Sequence, residues 1–262
     1  MALVAINALF LAIIVIDTYA DARSERRAIE NVCAILKSNG IDIDSDAIDT
    51  NYTLRTMRTA RGIEMEASVA VAVLGPVEMT DQGIIYQYEN QERGTAQFSS
   101  AGEFEIWLNE GVITSDDGTV RAVKELLRKM KIETSGIEEK PGSGGDTVKA
   151  VSAYKGASIF NGTIDFIFSD GSLNTIIGRY VTGIEPAEDG VNISHVETAL
   201  LGFLAAVKKG DVECSKIQSV EAGYQYSVVG SFGDGEIAPV WMITTNEGRF
   251  IVDSATGEIR PV

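Results

Sequence analysis

The residues able to do chemistry are few. The only histidine, His195, stands at the start of a helical pattern, beside Ser194. A general base needs a partner in hydrogen-bond reach, and His195 reads instead as a partly exposed residue of the first turn, or one lying over the cap. Cys33 and Cys214 are too few for a disulfide framework, and with one histidine they cannot build a typical zinc site. Asp42, Asp44 and Asp46 imitate the opening of a calcium loop. Ala47 stands where that loop needs glycine, however, and Thr53 stands where it needs a bidentate glutamate. The carboxylate pairs Glu103/Glu105 and Glu138/Glu139 are ordinary in a chain with 38 acids. No Gly-x-Ser-x-Gly, His-Glu-x-x-His, Walker or dinucleotide pattern occurs. No catalytic, cofactor-binding or metal-ligating residue is assigned, and the expectation is a protein that is not an enzyme.

The elements that position these residues begin with an apolar leader, Met1–Ile16, interrupted only by Asn7. Sixteen helical residues reach roughly 24 Å, short of a hydrocarbon core of about 30 Å; continuing to Tyr19 and Ala20 closes most of the gap. A transmembrane anchor over 1–20 is expected, followed by a juxtamembrane helix over 21–40. Ala5, Ala8 and Ala12 are spaced for a helix–helix face, with Asn7 as a polar contact. Arg23, Arg26 and Arg27 follow the run and no base precedes it, the reverse of the usual topology signal. A basic segment upstream would remove that conflict. The rival reading is a cleaved signal peptide, because Ala20-Asp21-Ala22 fits an A-x-A site.

The net charge of −16 argues against nucleic acid and anionic lipid surfaces as partners. Hydrophobic content of 45% supports a real core. Ile29, Val32, Cys33 and Leu36 recur at helical spacing, so Cys33 reads as a small buried hydrophobe. A helix from Ile63 to Leu74 stops at Gly75-Pro76, and a second runs Thr119–Lys131. Between them lie strand patterns at Ile84–Tyr88, Thr95–Phe98 and Glu103–Leu108. The last alternates, with Phe104, Ile106 and Leu108 on one side and Glu103, Glu105 and Trp107 on the other. Trp107, on the polar side, reads either as a partner-contact anchor or as a residue covered by a helix, and cover by a helix is the expectation.

EEKPGSGGD, Glu138–Asp146, reads as a linker. Strands follow at Thr147–Tyr154 and Thr163–Phe168, with Asp170-Gly171 as a hairpin turn into Leu173–Val181. Ser194–Glu197 reads as a capping box opening a helix that ends at Gly210. Ile217–Val228, Pro239–Thr244 and Arg249–Asp253 close the chain as strands. The expected class is α+β: about three helix-plus-antiparallel-meander units behind a single-pass anchor. The expected domains are 41–138 and 147–262, joined by a linker at 139–146.

The chain resembles the YycI branch of the YycH/YycI family, membrane-anchored accessory regulators of the YycF/YycG (WalR/WalK) two-component system. The likeness is carried by Glu30-Asn31-Val32…Leu36…Asn39-Gly40-Ile41, by Tyr154-Lys155-Gly156…Ile159-Phe160-Asn161, and by Ile177-Gly178-Arg179-Tyr180. It continues through Ala238–Ile243 and Gly248-Arg249-Phe250…Thr256-Gly257-Glu258. That ending is also similar to PepSY-type modules. The resemblance implies a non-enzymatic regulator at the plasma membrane, with its bulk outside the cytoplasm. The implied partners are a sensor histidine kinase and a sister YycH-like protein, and no cofactor is implied. Its anchor would bias the kinase between states by helix contacts. A second reading is a secreted or anchored PepSY-like module that restrains a peptidase or binds a cell-wall ligand.

Overall fold

A computed structural model describes residues 24–50, 52–142, 145–229 and 234–262. The leader Met1–Ile16, the Ala5/Asn7/Ala8/Ala12 face and the Ala20-Asp21-Ala22 site lie outside the described residues. Among the described residues no helix is long and apolar enough to cross a membrane. The described residues are α+β, with four helices among them and a large sheet dominated by antiparallel pairs. It divides into two compact units. A central unit takes Thr53–Ile193 and Ala222–Val240; a terminal unit takes the described residues up to Tyr52, then Ser194–Glu221 and Trp241–Val262.

In the central unit, β1 (Met57–Thr59) leads to α2 (Ile63–Leu74) and to β2 (Glu78–Asp81), β3 (Ile85–Asn90), β4 (Gly94–Ser99) and β5 (Glu103–Leu108). The pattern then repeats: α3 (Thr119–Met130), β6 (Thr134–Lys140), β7 (Thr147–Tyr154), β8 (Ala157–Ser169) and β9 (Ser172–Arg179). β10 (Glu185–Pro186) and parts of β11 (Ile217–Val228) and β12 (Gly235–Thr245) complete the unit. Each helix is followed by a four-strand meander. The two meanders join through their last strands, β5 against β9, in the order β2-β3-β4-β5-β9-β8-β7-β6. The two helix-plus-meander patterns of the sequence are therefore halves of one sheet.

This corrects the domain reading. Lys140 and Thr147 face each other as the last paired residues of the β6–β7 hairpin. The strands on either side of the glycine-rich stretch are thus paired within one compact unit, and no domain boundary falls between them. Glycine composition marks a chain reversal, and the pairing on either side decides whether it is a turn or a linker.

Both helices cover one face of this sheet. Val69, Ala70, Val73 and Leu74 of α2 and Val123, Leu127 and Met130 of α3 share a cluster with Tyr88, Phe98, Phe104, Ile106, Phe166 and Ile176. The period-2 alternation of the strands sends these side chains to the helices and their neighbours to the other side. Asp170 and Gly171 both hold positive φ, as a two-residue hairpin requires, and Lys155-Gly156 repeats the device between β7 and β8.

Tyr88 sits in this core with a buried hydroxyl that has no hydrogen-bond partner among the described residues. Burial is the main cause that pushes its phenol up to about 12. Tyr88→Phe removes the unpartnered group, so stability should hold or rise by about 1 kcal/mol in urea unfolding. The pH sign follows from the raised value. The native state keeps the proton while unfolded tyrosine loses it, so this contribution is complete below about pH 10 and falls as pH climbs toward the folded value. The phenylalanine variant should lose less stability over that alkaline range; an unchanged decline would contradict the assignment.

In the terminal unit, residues 24–38 form helix α1, which buries Ile29, Val32, Cys33 and Leu36. A short 3-10 turn, Ser45–Ala47, is capped by the Asp44 side chain, which accepts from the Asp46 N–H. α4 (Val196–Lys209) buries Val196, Leu200 and Phe203, and ends at Gly210 with φ 85°. β13 (Arg249–Asp253) and β14 (Ile259–Pro261) pair as an antiparallel hairpin. The expected capping box does not form. His195 is the cap residue, with no side-chain bond, so Glu197 falls one position too early in the helix to reach back.

Candidate functional site

The helix-free face of the central sheet is where outward-pointing residues converge. Cross-strand partners lie on the same face, so the register writes out rows. One row reads Glu138, Lys149, Asp165, Ile177, Glu105, Gln97, Gln87 and Thr80, in spatial order from β6 to β2. The adjacent row reads Lys140, Thr147, Ile167, Thr175, Trp107, Thr95, Glu89 and Glu78. Ile167 and Trp107 are each 36% exposed and Ile177 is 42% exposed. Three large apolar side chains thus lie open at the middle of a polar face. Trp107 is not covered by a helix, contrary to expectation, because α2 and α3 both pack on the other side.

A depression of 430 Å³ crosses the β5–β9 seam on this face. Its lining includes Glu103, Glu105, Asn161, Asp165, Ile177 and Arg179. The volume is in the range of small-ligand or side-chain sites. Arg179 builds one wall. Its Nη2 donates to Glu103 Oε1 at 2.7 Å, its Nη1 donates to the Asn161 carbonyl at 3.4 Å, and its guanidinium stands 5.3 Å from the centre of the Tyr226 ring. Burial raises the Tyr226 phenol above its usual value; Arg179 lowers it and Glu103 raises it. Tyr226 therefore serves as a neutral ring under a cation.

Asn161 fixes that wall. Its Oδ1 accepts from the Tyr226 N–H and its Nδ2 donates to the Tyr226 carbonyl, both at 2.8 Å, so the side chain substitutes for a strand neighbour. Asn161→Ala leaves both main-chain groups without partners and should cost about 1–3 kcal/mol. Urea unfolding checks it; a loss well below 1 kcal/mol would mean that water replaces the amide.

The other sequence candidates do not converge. His195 is exposed at the start of α4. Cys33 is buried, as its helical position implied, and burial pushes both the Cys33 and Cys214 thiols up, away from the thiolate. Among the described residues no three His, Cys, Asp or Glu side chains are grouped to hold a metal. Glu103 and Glu105 do share the open face, as their alternation predicted. Asp165, Arg179 and Asn161 carry no signal as site residues in the sequence, because only the register brings them beside β5.

The fold has a counterpart among solved structures. An uncharacterized protein from Eubacterium rectale ATCC 33656 matches with a TM-score of 0.53 over 82% of this chain and 89% of that one, at 11% identity. The Bacillus megaterium YpeB C-terminal domain matches at 0.39, with 13% identity, over 78% of this chain and 99% of that one. No family model matches the sequence, and no curated protein does.

Proposed function

We propose that the chain is a non-enzymatic, membrane-tethered binding module whose open sheet face docks on another protein. The observation that supports this most is the exposure of Trp107, Ile167 and Ile177 at the centre of a polar face. An aromatic anchor with apolar neighbours inside a polar rim is the usual make-up of a protein contact.

The partner proposed is a sensor histidine kinase of the YycG (WalK) kind, with a sister YycH-like protein beside it. The YycI resemblance supports that choice. The leader Met1–Ile16 would hold the body at the outer side of the plasma membrane, and Ala5, Asn7, Ala8 and Ala12 would add helix contacts. The kinase would then be biased by differential contact with its two states. A PepSY-like module that restrains a peptidase is the second reading, supported by the similarity of the chain's ending to such modules.

A membrane two-hybrid assay of the full-length chain against sensor kinases of the same cell tests the proposal. Trp107→Ala and Ile177→Ser should each cut a kinase signal at least severalfold, since central anchors carry most of a contact. An undiminished signal in both variants would contradict the docking face. Association by the folded body alone, with the leader replaced, would remove the transmembrane part of the mechanism.

A further inference from the structure

The open face is electrically lopsided. On its β6–β9 half every base meets an acid: Lys149 is 3.4 Å from Asp165, Lys140 is 3.7 Å from Glu138, and Arg179 reaches Glu103 across the seam at 2.7 Å. On the β2–β5 half, Glu78, Glu89 and Glu105 have no basic side chain in ion-pair range among the described residues. Glu78 and Glu89 also stand directly opposite each other. Like charges in that position destabilise a strand pair, so the free protein carries a repulsion there that a bound cation would relieve. Trp107 lies two strands from Glu89, roughly 10 Å at normal strand spacing, and two residues from Glu105, roughly 7 Å.

We propose that this half of the face binds an extended basic segment of the partner protein. An apolar residue would rest on Trp107 and Ile177, and Lys or Arg three or four positions away would reach Glu105 and the Glu78/Glu89 pair. This rests on the open face being the docking face. Charge complementarity selects the occupant: an acidic or neutral strand would leave three carboxylates uncompensated, and Arg179 is already engaged in the wall.

The test uses the full-length chain in detergent and a dye-labelled nine-residue probe. The probe has leucine at its centre, arginine three positions to either side, and serine elsewhere. A second probe carries glutamate in place of the arginines. Anisotropy should show binding of the arginine probe only, weakened about tenfold by Glu105→Gln or Glu89→Gln, the size expected for one charge-assisted contact. Glu213→Gln, an exposed acid of the terminal unit, should change nothing. Glu89→Gln should also raise the melting temperature of the unliganded protein. Equal weakening by Glu213→Gln would overturn the proposal, because it would show attraction to the overall charge of −16. So would equal binding of the glutamate probe, or no effect of the two central-unit variants. If those variants fail here while Trp107→Ala still abolishes kinase association, the basic ligand falls and the docking face stands. If Trp107→Ala leaves kinase association intact, the docking face itself falls.

Discussion

Arg61→Ala is expected to lower stability by about 3–5 kcal/mol, the usual result of stripping one partner from a buried ion pair. Arg61 Nε donates to Glu66 Oε1 at 2.8 Å, and Nη2 donates to Glu66 Oε2 at 3.0 Å. The same guanidinium donates to the carbonyls of Phe98 and Ile84, each at 3.0 Å, and lies 4.4 Å from the centre of the Tyr86 ring. The two side chains are only 11% and 5% exposed. One residue thus ties the first turn of α2 to the ends of β3 and β4. Removing it leaves a buried carboxylate without its cation and takes one donor from each of two carbonyls, of which that of Ile84 still accepts from the Ser100 N–H. The double variant Arg61→Met/Glu66→Leu should lose clearly less than the two single losses added together, because it also removes the stranded charge. Urea titration of the three variants decides the matter. Additive losses would show that the pair is not coupled.

Trp241→Ala should be the most damaging change in the terminal unit, at about 3–5 kcal/mol. Trp241 is fully buried, and its Nε1 donates to the Ser194 carbonyl at 3.1 Å. Tyr52 meets it edge-on with ring centres 4.4 Å apart. Truncation removes a large packed side chain and strands the Ser194 carbonyl just before α4. Trp241→Phe keeps most of the packing and should cost less than half as much. Thermal unfolding checks both variants. An alanine variant within 1 kcal/mol of the parent would mean that the site collapses without strain.

How much of this was legible in the chain depends on whether an element buries one side. β5 was read with its bounds because Phe104 and Ile106 alternate with Glu103, Glu105 and Trp107. α2 was read from its apolar spacing and from Gly75-Pro76, and Asp170-Gly171 declared its hairpin. β2 and β6 carry no such pattern. Glu78–Asp81 is exposed throughout and Thr134–Lys140 nearly so, because each lies at a sheet edge and leaves no buried period to detect. Missing β6 is what made the stretch after Lys140 look like a linker. The start of β8 was missed for another reason: Lys155 holds positive φ beside Gly156, and lysine gives no warning of it.

The site was half legible. Glu103, Glu105 and Trp107 were placed on one polar face from alternation alone. Whether that face was covered depended on where α3 packs, and a helix pattern does not say which side of a sheet it will choose. Asp165, Ile177 and Arg179 join the face only through the β5–β9 pairing, a contact between residues about seventy positions apart.

The central claim is that the uncovered sheet face is the surface that meets the partner. Its most direct test places a photo-crosslinking amino acid at position 107, and separately at position 71 on the exposed side of α2, in the full-length chain expressed beside the kinase found by two-hybrid assay. The account predicts a kinase adduct from position 107 and little or none from position 71. Adducts from position 71, with none from 107, would contradict it.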